Sequence, residues 1–132
     1  MTSRGTTTIS EHDCLTLLRK HSFGRVGVTI AGDIVVLPVY YAVLRDDEIV
    51  FRTDPGTKLS AGILGIRVAF EVDSRDPPWS VLVRGHAHEM RDTEAVEAAR
   101  NEIPDEWPTG ERERIVRISI ETITGRRLPD DD

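Results

Sequence analysis

Several scarcities narrow the classes of protein that this sequence can encode. The 132 residues include a single cysteine, Cys14, so no disulfide can form within the chain and a reducing cytoplasm is expected. No apolar run approaches the roughly 18 residues of a membrane-spanning helix, and the threonine-rich start lacks the apolar centre of a signal peptide. Acidic residues outnumber basic ones, 23 to 17, which argues against nucleic acid as a partner.

The composition that remains is that of one ordinary globular domain. Apolar residues make up 39% of the chain and charged residues 30%, a balance typical of soluble domains. A chain of this length buries about two-thirds of the surface that its unfolded form exposes, which suffices for one core. We expect the domain to span residues 10–127, between a flexible tail at 1–9 and an acidic tail at 128–132.

The spacing of apolar residues predicts a mainly β protein. Val26, Val28 and Ile30 alternate with polar or small residues, as in a strand with one buried face. Residues 34–44 are apolar on both sides, so we expect burial on both faces. Long antiparallel strands with few helices favour a small barrel. The predicted strands are 26–30, 34–44, 49–53, 67–72, 79–91 and 114–120. The predicted helices begin at Ser10, Lys58 and Thr93, and the first is expected to stop near Gly24.

The segment from Thr53 to Lys58 combines the components of an anion-binding site. A predicted strand ends at Thr53, a Pro-Gly turn follows, and Thr57 and Lys58 open a helical segment. Hydroxyl groups, loop amides, a helix N-terminus and an ammonium group are the donors that a phosphate requires. The glycine spacing is not that of a Walker loop. We therefore expect the phosphate of a cofactor other than a P-loop nucleotide.

No catalytic residue can be assigned from a motif. The sequence contains no nucleophile elbow and no paired-carboxylate motif, a pattern typical of an enzyme whose chemistry is carried by a cofactor. His86 and His88 lie two apart on a predicted strand and face the same way. Because no third ligand accompanies them, we predict surface histidines and no metal.

The order and spacing of short segments resemble the pyridoxamine-phosphate-oxidase-like, flavin-binding split barrels, in particular their short single-domain actinobacterial members. The segments are FGRVG (23–27), VLPVYY (36–41), FRTDPGTK (51–58), VAFEVD (68–73), WSVLVRGHA (79–87) and TGRR (124–127). The resemblance runs from about residue 11 to residue 127. It implies a six-stranded antiparallel split β-barrel (α+β) with two or three short helices. It also implies a homodimer with FMN at the subunit interface.

The resemblance also implies roles for individual residues. The backbone of one strand would face the flavin ring, the next strand and its loop would hold the phosphate, and a later strand would reach the cofactor of the partner. These groups are Pro38, Val39 and Tyr40 for the ring, Arg52, Thr53, Thr57 and Lys58 for the phosphate, and Trp79 and Ser80 for the cofactor of the partner. Two of these residues also have purely structural interpretations: Pro38 can mark barrel curvature, and Arg52 can point to water.

The implied activity is flavin-dependent oxidation or reduction of a small molecule in the cytoplasm. The chain departs from the full oxidase at Thr57-Lys58, which replaces a Ser-Arg-Lys run, and in lacking its longer C-terminal segment. Vitamin B6 is therefore not assigned as the substrate. The alternatives are a deazaflavin-dependent reductase on the same fold and a non-catalytic flavin-binding protein. Haem binding through His86 or His88 is a further alternative.

Overall fold

The computed structural model describes residues 5–54, 62–104 and 113–129. These residues form seven strands and two helices. In chain order the elements are β1 (Thr7–Ile9), α1 (Glu11–Lys20), β2 (Phe23–Ile30), β3 (Asp33–Leu44), β4 (Glu48–Thr53), β5 (Arg67–Arg75), β6 (Pro78–Met90), α2 (Thr93–Glu102) and β7 (Arg114–Arg127). No helix among these ranges is long and apolar enough to cross a membrane.

Six of the strands close into an antiparallel barrel. The order around it is β7-β4-β3-β2-β5-β6, and β6 pairs back onto β7. β1 adds to the far end of β7, where Thr7 lies opposite Arg127. The predicted mainly β, six-stranded antiparallel barrel is therefore confirmed.

The barrel interior is filled by alternate side chains of each strand. Val26 and Val28 of β2 are buried, while Arg25, the residue just before Val26, is exposed. This alternation is what strand geometry requires for a sheet with one buried face. Tyr41 and Phe70 meet edge to face at 4.8 Å between ring centroids. The Tyr41 hydroxyl donates to the Leu18 carbonyl at 2.6 Å, which ties α1 to the barrel.

Helix α1 begins as predicted and ends earlier than predicted. The Ser10 side chain accepts a hydrogen bond from the Asp13 amide at 3.1 Å, a standard N-cap. The helix ends at Lys20, and Gly24 lies within β2 instead. A Cβ atom at Gly24 would come within 2.7 Å of the Phe70 ring, so this glycine permits close packing of β2 and does not end a helix.

Helix α2 packs against the outside of the barrel. It spans Thr93–Glu102, and the Asp92 side chain caps it by accepting from the Ala95 amide at 3.0 Å. A second core forms beneath it, made of Val50, Met90, Ala99, Ile103 and Ile115. As a result β4 is buried on both faces. The helix predicted to begin at Lys58 falls mainly outside the described residues.

Predicted element bounds were wrong where pairing with a distant strand decides the conformation. Residues 7–9, predicted as part of a tail, form β1 against β7. Residues 73–75, predicted as loop, extend β5, because Ser74 and Arg75 pair with Trp79 and Pro78 across a short turn. β7 continues to Arg127, beyond the predicted end at residue 120. Leu128 and Pro129 follow as exposed coil.

The expectation that residues 34–44 are buried on both faces was also wrong. Ile34 is 83% exposed and Val36 is 61% exposed, whereas Val35, Leu37 and Val39 pack against the barrel core. Within one chain, nothing in the described ranges covers the outer face of this half of β3.

Candidate functional site

The barrel opens along one edge of β3. The ladder between β3 and β4 ends at the pair Tyr41–Phe51, while β3 continues alongside β2 as far as the pair Ile30–Asp33. In the part of the chain that the structure describes, no strand lies against the other edge of β3 from residue 33 to residue 40. We call this stretch the open edge.

Alternate residues of β3 direct their backbone polar groups toward the open edge. The Tyr41 amide donates to the Ser22 carbonyl at 2.9 Å, so the odd-numbered residues of β3 bond to β2 and the even-numbered ones face away from it. Pro38 belongs to the second set. Its missing amide hydrogen therefore breaks no bond to β2, which is where a sheet tolerates proline. The predicted ring-facing segment, residues 38–40, lies along the open edge.

Thr53 stands where the β3–β4 ladder opens. It is the last residue of β4 and only 4% exposed, and continuing the register from Tyr41–Phe51 places it across from Val39. Its hydroxyl oxygen has no hydrogen-bond partner within the described ranges. Leaving a buried hydroxyl unpaired costs about 1–3 kcal/mol. The Thr53 hydroxyl is therefore a buried donor next to the open edge, where it could bind a polar ligand. Thr57 and Lys58 lie outside the described residues.

Arg52 is buried beneath the end of α2. Its guanidinium donates to the carbonyls of Arg100 and Pro104, both at 2.8 Å, and its Nε lies 3.3 Å from a carboxylate oxygen of Glu113 as an ion pair. The side chain is 8% exposed, so the alternative that it points to water is wrong. One of these carbonyl groups, that of Arg100, lies in the last turn of α2, where helical carbonyls lack internal partners, and the other belongs to the segment that follows the helix. Its contact with a phosphate stays a prediction.

The structure separates Trp79 and Ser80 from the open edge of the same chain. The order β3-β2-β5-β6 places β6 three strand spacings from β3 around the barrel wall, or roughly 14 Å measured along the wall. The Trp79 side chain is buried, and its ring lies 5.0 Å from that of His21. Ser80 sits on the outer side, opposite Asp73. That Ser80 contacts the cofactor of a partner stays a prediction.

Three charged residues that the sequence did not single out line a cavity beside Pro38. Arg25 is the cross-strand neighbour of both Pro38 and Glu71. Its guanidinium lies 3.2 Å from the Glu71 carboxylate and 3.8 Å from that of Asp73. The cavity measures about 320 Å³, and its lining residues are Arg25, Gly27, Val36, Ala69, Glu71 and Asp73.

The cavity favours the protonated form of one carboxyl group. Burial is the largest cause that raises the pKa of Glu71 to about 7; the protonated Glu71 also donates a hydrogen bond to the Asp73 carboxylate, whose charge repels an ionised Glu71, while Arg25 opposes the change. The signal in the sequence is the pair Glu71 and Asp73, two apart on one strand and therefore on one face. Acidic residues on strands are usually solvated, so the sequence alone does not predict that this pair lines a cavity.

The two histidines of β6 lie far from the open edge. The imidazole of His86 contacts the carboxylate of Glu121, and His88 is exposed. The described ranges contain no cluster of three or more side chains of the metal-binding types. That these histidines bind no metal stays a prediction.

Comparison with known proteins agrees with this architecture. The family model for pyridoxamine 5'-phosphate oxidase matches residues 10–127, and the chain belongs to that family. The family expected from the sequence motifs is thus confirmed. No curated protein matches the chain.

Solved structures from several bacteria share the fold across nearly the whole chain. An FAD-binding protein of Mycobacterium smegmatis is 31% identical with a TM-score of 0.82, covering 95% of this chain and 100% of its own. A Corynebacterium glutamicum protein named as a candidate pyridoxamine 5'-phosphate oxidase is 31% identical with a TM-score of 0.83, covering 96% and 100%. An FAD-binding protein of Mesorhizobium loti is 25% identical with a TM-score of 0.79, covering 97% and 100%.

Proposed function

We propose that this protein binds a flavin nucleotide along the open edge of β3 and uses it to oxidise or reduce a small molecule in the cytoplasm. The observation that carries the proposal is the buried Thr53 hydroxyl, which lacks a partner where the β3–β4 ladder opens. The names of the Mycobacterium smegmatis and Mesorhizobium loti relatives, both FAD-binding proteins, support it.

The protein acts as a homodimer in this proposal. Residues 38–40 lie on the open edge, while Ser80 lies three strands away around the barrel wall of the same chain. Two copies related by a two-fold axis supply both sides of each site. The strand order supports a site that two copies complete together.

A bound flavin would supply the redox chemistry, and the chain would supply binding and orientation. The backbone at Pro38 and Tyr40 would orient the ring through polar groups directed at the open edge. Thr53 would donate its hydroxyl hydrogen to the ligand. Lys58 would neutralise the phosphate, and Ser80 of the second copy would contact the ring. The cavity at Arg25 lies beside Pro38 and limits where a substrate approaches.

The nucleotide that we propose is FMN. FMN and FAD share the ring and the first phosphate, so the proposed phosphate contacts serve either one. Titration of the apoprotein with riboflavin, FMN and FAD, followed by flavin fluorescence, ranks them. We expect FMN to bind more tightly than riboflavin, because the phosphate adds charge-assisted hydrogen bonds. Tighter binding of FAD would replace FMN in the proposal, and absence of binding by all three would contradict flavin binding altogether.

Lys58→Ala tests the phosphate contact directly. A charge-assisted contact contributes about 1.5–3 kcal/mol, so the variant should bind FMN about 10- to 150-fold more weakly. Riboflavin affinity should stay unchanged, and Lys58→Arg should recover part of the loss. Lys20→Ala, at the exposed end of α1, is the control. An equal loss for FMN and riboflavin would show that Lys58 acts on the ring or the fold.

A further inference from the structure

Among the residues that the structure describes, none fills the space in front of Gly27, in the middle of β2. Glycine weakens a strand, because it adds backbone entropy and packs against nothing. The other strand glycines are required by close packing, since a Cβ atom at Gly24, Gly85 or Gly125 would come within 2.7 Å of a neighbouring atom. A Cβ atom at Gly27 would meet only that of Ala69, at 4.0 Å, an ordinary contact distance. Close packing with the described residues therefore does not explain this glycine.

The space in front of Gly27 belongs to the cavity beside Pro38. Val36, Gly27 and Ala69 are cross-strand neighbours on β3, β2 and β5, and together they form an apolar floor under about 320 Å³ of space. A cavity of this size with an apolar floor and a few polar groups is typical of a small-molecule site. Glycine within a strand often marks a position that a ligand approaches closely.

The polar side of the cavity contains two carboxyl groups and one cation. Glu71 and Asp73 share the guanidinium of Arg25, which lies 3.2 Å from the first carboxylate and 3.8 Å from the second. Arg84 lies one diagonal step from Glu71 on the same face, but within the described ranges it forms no ion pair with either carboxyl group. Burial and the nearby Asp73 raise the pKa of Glu71 to about 7 in spite of Arg25. One guanidinium therefore does not balance the pair.

We propose that the cavity beside Pro38 binds a small organic cation, with a planar apolar group over Gly27 and a protonated amine between Glu71 and Asp73. The amine donates hydrogen bonds to the two carboxyl groups and supplies the positive charge that the pair lacks. A ligand anion would instead meet two carboxyl groups. The inference rests on the proposed function, because a molecule in this cavity lies beside residues 38–40 and is there the substrate.

Binding of an ammonium group makes a definite prediction about pH. The charged groups that face Glu71 are Arg25 from β2, Asp73 from β5 and Arg84 from β6. Without a ligand the Glu71 pKa is about 7. A bound ammonium group lowers it, so the complex binds fewer protons than the free protein, and affinity rises as the pH rises through 7. A neutral ligand that accepts a hydrogen bond from protonated Glu71 would show the reverse.

Three probes of matched size test the charge preference: benzylamine, benzyl alcohol and benzoate. Each is titrated into the flavin-free wild-type protein at pH 8 and followed by the NMR signals of backbone amides. Benzylamine should bind about tenfold more tightly than benzyl alcohol, because its contacts are charge-assisted, and benzoate should bind no more tightly than the alcohol. The shifts should concentrate at residues 25–27 and 69–73. Equal binding of the three probes, or shifts elsewhere, would overturn the proposal.

Gly27→Val tests the location of the site. The variant should fold, because the first side-chain atom has room and valine favours strands. It fills the cavity, so benzylamine and benzyl alcohol should both bind at least tenfold more weakly. Thr29→Val, on the same exposed side of β2 but outside the cavity lining, is the control. Circular dichroism checks the fold of both variants. Wild-type affinity in folded Gly27→Val would overturn the proposed location.

The pH dependence keeps the test decisive if Gly27→Val does not fold. The benzylamine dissociation constant should fall about fivefold between pH 6 and pH 8, as a Glu71 pKa lowered by about one unit requires. The ammonium group itself stays protonated in this range. Glu71→Gln should remove the dependence, while Glu94→Gln at an exposed position of α2 should retain it. A dependence that survives Glu71→Gln, or that has the opposite sign, would overturn the contact.

A flavin-loaded sample separates this inference from the proposed function. With FMN bound, benzylamine should change the visible flavin spectrum of the wild type and leave that of Gly27→Val unchanged. Flavin binding without any preference for benzylamine would overturn the inference and leave the proposed function intact. Benzylamine binding by a protein that takes no flavin would overturn the proposed function and leave the amine site.

Discussion

The Thr53 hydroxyl is the single side-chain group whose burial most needs an explanation. Its strand neighbours Phe51 and Arg52 are fully accounted for, the first by the barrel core and the second by α2. Thr53 continues the inward series of β4 and ends it with a polar atom that finds no partner among the described residues. Retaining a costly group at the mouth of an opening is expected of a binding residue.

Thr53→Val should therefore separate stability from binding. Valine has nearly the same shape and removes the unpaired hydroxyl, so the free energy of unfolding of the apoprotein should rise by about 1 kcal/mol. FMN affinity should fall by about tenfold, since a hydrogen bond contributes roughly that much. Urea denaturation of the apoprotein and fluorescence titration measure the two effects. A loss of stability would mean that the hydroxyl already has a partner in the apoprotein. Thr29→Val, on an exposed position of β2, is the control.

Among the strands and helices, the joint between β4 and α2 depends on Arg52. The side chain reaches from the outer side of β4 to the carbonyl of Arg100 in the last turn of α2 and to that of Pro104 beyond it, and Glu113 contacts both Arg52 and Arg100. Helix ends leave carbonyl groups without internal partners. One buried guanidinium thus satisfies one of them, together with the carbonyl of Pro104 after the helix, and neutralises a carboxylate.

Arg52→Met should lower the free energy of unfolding by about 2–4 kcal/mol, because it leaves buried polar groups without their partner. Arg52→Lys should recover little, since an ammonium group does not reproduce the planar fork. Thermal unfolding measures the loss, and Arg67→Met at an exposed position of β5 should leave stability nearly unchanged. Comparing FMN with riboflavin then tests the predicted phosphate role. A larger affinity loss for FMN than for riboflavin would support that role.

Local sequence signals identified the elements whose conformation depends on neighbours in the chain. The Ser10 cap and the alternation in β2 are such signals. They failed for β1 and for the second half of β7, because polar residues there are ordered by pairing with distant strands. Exposure of Ile34 and Val36 escaped prediction for a similar reason. An apolar residue in a sequence does not reveal whether the residues that bury it belong to its own chain, to another chain, or to neither.

In the candidate site, too, features formed by consecutive residues could be predicted from the sequence, and features formed by distant residues could not. The motif around Thr53 was recognisable because its residues are consecutive. The cavity was not, since Arg25 and Glu71 are far apart in sequence and meet only when β2 pairs with β5. The separation of Ser80 from residues 38–40 likewise follows from strand order, which no short motif contains.

In the molecule as a whole, the proposed site links flavin binding to association of two chains. If each site uses residues of both copies, binding and dimerisation strengthen each other by the same factor. Val36→Glu places a charge on the outward side of β3 at a position exposed in the single chain, and so should leave the fold intact.

The expected result is that Val36→Glu lowers FMN affinity at least tenfold at micromolar protein, because a buried charge weakens the dimer. Raising the protein concentration should restore part of the affinity. Ala98→Glu adds the same charge to an exposed position of α2 and should change neither property. Fluorescence titrations at several protein concentrations, paired with sedimentation, provide the measurement. FMN affinity independent of concentration in Val36→Glu would indicate that one chain contains the whole site.

The open edge of β3 also has a kinetic signature. The amides of Val35 and Leu37 bond to β2, whereas those of Ile34 and Val36 face away from it, so adjacent amide hydrogens should exchange with solvent deuterium at rates that alternate along the strand. Exchange followed by NMR on the apoprotein should show fast signals at 34 and 36 beside slow ones at 35 and 37. Bound flavin, together with the second chain, should slow the fast set and leave the slow set unchanged. Half of one strand thus reports occupancy of the site without any chemical label.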